Sequence, residues 1–135
     1  MRIAFGTDES TPVTEDLVSD LQRLGHEVLP AAIDLPWAEV GAAVGRLVAS
    51  GEAEVGIVCC FTGTGVTMAA NKVTGARAAL CTDPETARGA RRWNDANVLG
   101  ISLRLATSEL VREIVEAFFR TPFDVSESAQ VALLA

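Results

Sequence analysis

Apolar and polar positions along the chain follow two periods in turn. Arg2–Gly6 and Val55–Cys60 are short, nearly unbroken apolar runs, the pattern of parallel strands covered on both faces. Between them Leu17, Val18, Leu21 and Leu24 recur at helical spacing. That helix, predicted over Thr11–Leu24, has Pro12 in its first turn, Glu15 and Asp16 early, and Gly25 just past its end. His26–Leu29 predicts a short second strand, Ala31–Pro36 a loop, and Trp37–Ser50 a second helix that stops near Gly51. After Val55–Cys60, the run FTGTG reads as a glycine-punctuated turn, followed by a short helix from Val66 to about Lys72. Ala76–Cys81 and Val98–Ser102 predict two more strands. Asp83-Pro84-Glu85 opens a helix reaching about Arg92. Thr107–Arg120 predicts a long helix capped by Thr107 or Ser108, with Glu109 in its first turn, and the tail from Thr121 has room for a last short helix. Alternating strands and helices predict the α/β class: a three-layer Rossmann-like fold with a central parallel sheet, in a single domain over residues 1–135.

Composition narrows the partners. Aromatic residues are only 5% of the chain and Tyr is absent, so small aliphatic side chains must fill the core. A net charge of -7 argues against nucleic-acid binding, which requires a basic face. Of the 11 cations, six fall between Lys72 and Arg104. They read either as a local anion site or as ordinary helix-surface arginines. The opening MRIAFGTDES is expected to be a first strand rather than a signal peptide, and no apolar run has the length of a membrane span. The three cysteines, Cys59, Cys60 and Cys81, are odd in number and two are adjacent, which makes a poor disulfide framework. No Cys/His spacing fits zinc, and no metal site is expected. Free thiols place the protein in a reducing compartment, the cytoplasm.

In open parallel sheets ligands bind beyond the carboxyl ends of the strands. Three loops qualify: Gly6–Glu9, Cys60–Gly65 and Trp93–Asn97. The middle one carries the most chemistry. Cys60 ends a strand, Thr62 follows, Gly63 and Gly65 let the backbone turn its N–H groups inward, and a helix N-terminus comes next. Together these form an anion-binding nest. A thiol beside it is expected to have a lowered pKa, and the nest is suited to an oxyanion formed as a neighbouring carbon loses its proton. The alternative is a structural turn with two buried, inert thiols. Neither the Walker loop nor the dinucleotide fingerprint is present.

The segments CCFTGTGVTMAANKVTGARAALCTD and ARGARRWNDANVLGISLR carry a resemblance to the type B ribose-5-phosphate isomerase and galactose-6-phosphate isomerase family, and it covers nearly the whole chain. The resemblance implies a Rossmann-like homodimer or dimer of dimers with sites shared between subunits. It also implies aldose–ketose isomerisation of a small sugar or sugar phosphate through an enediol(ate), without metal or organic cofactor. By position, Cys60 matches the thiol base and Thr62 the assisting hydroxyl. The amides of Gly63, Thr64 and Gly65 match the enediolate cradle. Asp8 matches the acid near the sugar ring oxygen, and Asn94 a substrate-binding amide given across the dimer. Val66 stands where some relatives carry a Glu base and cannot serve, which leaves Cys60.

The departures concern ring opening and phosphate. The family usually has His where this chain has Trp93, and indole is neither acid nor base near neutral pH. Its Asp-His at the first strand is Asp8-Glu9 here. Its C-terminal arginines fall at about Glu127 and Val131, in FDVSESAQVALLA, which has no cation. Arg88, Arg91, Arg92 and Arg104 remain as candidates to hold an anion. The substrate-binding set is therefore Glu9, Gly63, Thr64, Gly65, Trp93, Asn94, Arg91 and Arg92. Trp37 reads chiefly as a core or surface anchor, with the pocket wall as the alternative. Lys72 reads as a structural charge, Cys59 and Cys81 as core, and His26 as exposed. Two rival functions stay open beside the isomerase: a sugar- or anion-binding homologue without turnover, and an isomerase or epimerase of an unphosphorylated substrate.

Overall fold

The computed structural model describes residues 1–134; Ala135, the last residue of the expected domain, lies outside the described residues. Five strands form one sheet: β1 (Arg2–Thr7), β2 (Glu27–Ile33), β3 (Val55–Cys60), β4 (Ala78–Leu80) and β5 (Val98–Ser102). Their order is β2-β1-β3-β5-β4 and every pairing is parallel. The helices are α1 (Pro12–Arg23), α2 (Trp37–Ala49), α3 (Thr64–Asn71), α4 (Pro84–Asn94), α5 (Ser108–Arg120) and the short α6 (Ser128–Val131). Short 3-10 turns at Val125–Glu127 and Ala132–Leu134 flank α6.

Side-chain alternation along the strands splits the core in two. Ile3, Phe5, Ile57, Cys59, Leu99 and Ile101 face the layer of α1, α4 and α5. Ala4, Val58, Cys60 and Val98 face α2 and α3 through Val40, Val44, Val66 and Ala70. The expected three-layer architecture is therefore present, and Cys59 and Cys60 point to opposite faces as the pleat requires. Thr11 caps α1 by accepting from the Thr14 amide, Asp83 caps α4 by accepting from that of Thr86, and Thr107 caps α5 by accepting from that of Leu110.

Several boundaries differ from the sequence expectation. β2 runs on through Ala31–Ile33, which the sequence reads as loop. Pro30 is tolerated because β2 is the outermost strand, and the register against β1 shifts between Phe5 and Gly6 beside it. β4 is shorter than Ala76–Cys81, because Ala76 still belongs to the turn after Gly75, and its amide bonds the Val73 carbonyl. α3 starts two residues earlier than expected, and α4 continues to Asn94.

β1 is joined to β2 through α1 on one face, while β3 leads into α3 on the other. The loops after β1 and β3 thus leave the sheet in opposite directions, and a crevice opens between them at the carboxyl end. The Asp8 amide bonds the Cys59 carbonyl at 3.2 Å and keeps the two strand ends side by side. No helix among the described residues is long and apolar enough to cross a membrane.

Candidate active site

The crevice is a cleft of about 360 Å³ lined by Asp8, Trp37, Cys60, Phe61, Thr62, Thr64, Gly65 and Met68. Its floor is the end of β3. The continuation of β5 clamps the loop there: the amides of Leu103 and Arg104 donate to the carbonyls of Cys60 and Phe61, at 3.0 and 2.8 Å. The Ser102 hydroxyl also reaches the Phe61 carbonyl. Cys60 is 5% exposed and opens onto the cleft. The other two thiols do not line it. Burial holds Cys59 far above the ordinary thiol range, and burial, helped by Asp83, pushes Cys81 up to about 12. Both are core side chains, as the sequence suggests.

Gly63 has φ 78°, and a Cβ there would lie 2.6 Å from Leu80 Cδ1 and 2.9 Å from the Ile101 backbone, so only glycine fits. It starts α3. The first amides of α3, those of Thr64, Gly65 and Val66, meet no acceptor among the described residues, and no side chain caps the helix. Thr62 and Thr64 share a hydrogen bond between their hydroxyls at 2.8 Å at the same end. Unpaired amides, two hydroxyls and a thiol therefore converge on one rim, the arrangement a developing oxyanion requires.

Asp8 faces them from β1. Its Oδ1 is buried with no hydrogen-bond partner, and burial, followed by the nearby charge of Glu9, raises its pKa. Glu9 itself is exposed and does not line the cleft. The remaining wall is apolar. The Trp37 ring lies against Gly65, where a Cβ would come within 2.8 Å of it, and is 50% exposed. Trp37 is thus a wall of the cleft, not only the anchor the sequence favours, because Pro36 starts α2 at the carboxyl end of the sheet. Phe61 and Met68, 63% and 61% exposed, complete that wall. The sequence singles out neither: Phe61 falls within the predicted turn and Met68 within the predicted helix.

The expected set does not assemble within one chain. α4 runs back along the sheet, so Arg91, Arg92, Trp93 and Asn94 end at the amino side, away from Cys60. Arg91 is held there: its guanidinium donates to Asp95 Oδ1 at 3.0 Å and to the Ala96 carbonyl, and lies 5.7 Å from the Phe118 ring centre. Trp93 is 52% exposed and packs on Gly89. Arg92 and Asn94 are exposed, and the Arg92 carbonyl accepts from the Asp124 amide. Of the other candidate cations, Arg88 pairs with Glu85 at 3.2 Å, whereas Arg104 is exposed, makes no salt bridge among the described residues, and donates its backbone amide to the Phe61 carbonyl. Lys72 is exposed. His26 is half-buried rather than exposed, because Phe119 covers its ring at 5.5 Å and its Nδ1 meets the Met1 amine. Among the described residues, no three His, Cys, Asp or Glu side chains gather as a metal would require.

Residues 3–133 match the Ribose/Galactose Isomerase family. The chain is 33% identical to galactose-6-phosphate isomerase subunit LacB of Clostridium acetobutylicum, covering 96% of this chain and 78% of that one. It is 34% identical to ribose-5-phosphate isomerase B of Escherichia coli, covering 91% and 86%. It is 32% identical to D-erythrulose-4-phosphate isomerase of Pectobacterium atrosepticum, covering 96% and 89%. The solved structure of ribose-5-phosphate isomerase B from Clostridium thermocellum superposes with a TM-score of 0.92 at 32% identity, covering 99% of this chain and 95% of that one.

Proposed function

Because this chain belongs to the ribose and galactose isomerase family and is an aldose–ketose isomerase, we propose that the Cys60 cleft is where it reacts and that its substrate is a sugar phosphate that arrives as an open chain. One observation carries this reading: among the described residues, the only titratable side chains lining the cleft are Cys60 and Asp8. A thiolate and a carboxylate suffice to move a proton between C1 and C2, but no imidazole is present to open a ring. A four-carbon sugar phosphate needs none, since esterification of its terminal hydroxyl prevents closure of a five-membered ring. Trp93, at the position of the usual ring-opening His, fits the same substrate, and one relative is named for D-erythrulose 4-phosphate.

In this mechanism the Cys60 sulfur takes the proton from C2 of the aldose. The electron pair moves onto the carbonyl oxygen, and the unpaired amides of Thr64 and Gly65 hold the enediolate that results. The Thr62 hydroxyl relays the proton between O1 and O2. Cys60 then returns its proton to C1 and gives the ketose. The Asp8 carboxylate, which lines the cleft, accepts from a substrate hydroxyl. Trp37 lies along the C–H face of the chain. The phosphate end is drawn to Arg104, the unpaired cation beside Phe61.

The site is completed by a second copy of the chain, in a homodimer whose partner places Asn94 and Trp93 over the cleft. The exposure of Trp37, Phe61 and Met68 at its mouth supports this. Three free thiols fit the reducing cytoplasm.

The test is deuterium incorporation from D2O into D-erythrulose 4-phosphate and D-ribose 5-phosphate, followed by NMR. Faster exchange with the four-carbon sugar is expected. Ribose 5-phosphate turned over at a typical enzymatic efficiency, about 10⁵ M⁻¹s⁻¹ or better, overturns the open-chain reading. For the shared site, Cys60→Ala and Asn94→Ala proteins are mixed and allowed to exchange subunits. Activity regained on mixing is expected, and two inactive variants that stay inactive although they form hybrids argue against it.

A further inference from the structure

The amides that face the cleft are held in place by a hydroxyl that does not line it. The Gly63 carbonyl accepts from the Thr67 hydroxyl at 2.6 Å and from the Thr67 amide at only 3.4 Å. The shorter bond is the hydroxyl's, so the first turn of α3 is closed mainly by a side chain. Thr67 is half-buried on the sheet side of α3, against β5. Its hydroxyl occupies the space that a side chain at Gly100 would fill: a Cβ built there would overlap Thr67 Oγ1. One glycine thus makes room for the hydroxyl, and another receives its bond.

A trans peptide points its C=O and N–H in opposite directions. With the Gly63 carbonyl turned down the helix toward Thr67, the Thr64 N–H of the same peptide must point out of the N-terminus. Gly63 has no Cβ to resist rotation of that plane, so its conformation alone does not fix the direction. Rotation would replace the donor with a carbonyl oxygen at the rim, where negative charge has to develop. We infer that Thr67 is a positioning residue of the isomerase, whose hydroxyl latches the Gly63–Thr64 peptide in the orientation that stabilises the enediolate. The inference rests on the reading of the Cys60 cleft as the reacting site.

Thr67→Val keeps the shape and removes the hydroxyl, while Thr67→Ser keeps the hydroxyl. Two readouts are combined. The first needs no substrate: the ¹⁵N–¹H resonance of Thr64, expected to shift or broaden in Thr67→Val and to stay near wild type in Thr67→Ser. The second is kcat and KM for whichever of D-erythrulose 4-phosphate and D-ribose 5-phosphate the wild type converts faster. Loss of one oxyanion donor costs about 10²–10³ in kcat, so a donor left free to turn away is expected to cost roughly 10- to 100-fold, with KM nearly unchanged. Thr67→Ser is expected within about threefold of wild type, since it restores the same bond. An unmoved Thr64 resonance in Thr67→Val overturns the latch. A moved resonance with undiminished kcat overturns its role in the reaction. A wild type that exchanges no proton with either sugar overturns the reading of the site, and with it the catalytic role, while the Thr64 resonance still decides the latch.

Discussion

At the amino end of the sheet, Arg77 and Arg91 both close on Asp95. Asn97 accepts there from the Arg77 amide at 2.7 Å and donates to the Gly75 carbonyl at 3.0 Å. At the carboxyl end, Asp8 Oδ1 is buried alone, the Thr64–Val66 amides are free, and the hydroxyls of Thr62 and Thr64 bond each other. Both ends gather polar groups in the turns beside the same strands. Those at the amino end satisfy one another and so hold the fold. Those at the carboxyl end wait for a partner from outside, which is the condition for binding and chemistry. Pairing state, more than residue type, separates the two: Arg91 and Arg104 are the same side chain in opposite circumstances.

The adjacent thiols give the sharpest test of this contrast. Cys60→Ala is expected to lower sugar-proton exchange by about 10³-fold or more while the fold persists. Cys59→Ala is expected to leave exchange within a small factor but to destabilise by about 1–2 kcal/mol, because it opens space in the core of the opposite face. Exchange surviving in Cys60→Ala would remove the thiol as base and turn attention to Asp8.

The arginines come next. Arg104→Ala is expected to raise KM for a sugar phosphate about tenfold, the size of a charged hydrogen bond, with Tm unchanged. Arg91→Ala is expected to lower stability by roughly 1–2 kcal/mol in chemical denaturation, as the buried Ala96 carbonyl loses its partner and Asp95 keeps only Arg77. The reverse pattern would place the anion site at the other end of the sheet.

Gly65→Ala probes the apolar wall. The new methyl meets the half-exposed Trp37 ring, so the ring should swing aside at little cost to the fold, and KM should rise several-fold. Tryptophan fluorescence reports the movement.

The smallest effects concern pH. The folded-state pKa of Asp8 is raised by burial and by Glu9, so its ionisation opposes folding: its contribution is present at low pH and is lost as pH rises through the folded value. Asp8→Asn should therefore melt no lower, and slightly higher, than wild type at neutral pH, while losing turnover. Asp20 behaves oppositely. Its hydrogen bond from Arg112 lowers its pKa, so its contribution is present at neutral pH and is lost as pH falls below the ordinary Asp value of 3.8. Asp20→Asn should lower the neutral Tm and flatten the acid limb of the Tm–pH curve.

The sheet, its helices and the Cys60 loop were legible in the sequence because each rests on local signals. These are the apolar run of β3, the period-two pleat that separates Cys59 from Cys60, and the glycines at 63 and 65. What was not legible depends on direction and neighbours. RRWND reads as chemistry in a linear string, but α4 runs antiparallel to the strands and carries Arg91 to the far end, where Asp95 takes it. For Trp37 the sequence favours an anchor over the pocket wall, and the choice is made only once α2 is seen to begin at the cleft. Ala31–Ile33 looks like loop after Pro30, and only the outermost position of β2 lets the strand continue. Thr67 bears no motif, since its role is defined by a carbonyl four residues back and by a glycine on another strand.

Pro30 has a consequence for association. A bare outer strand is a template on which a second chain can extend the sheet, and repeated addition of that kind leads to fibres. Pro30 offers no N–H to an incoming strand, and the register shift beside it breaks the even row of acceptors and donors. At the β2 edge, one of the two ends of the sheet, copies of this protein are thereby steered away from joining strand to strand.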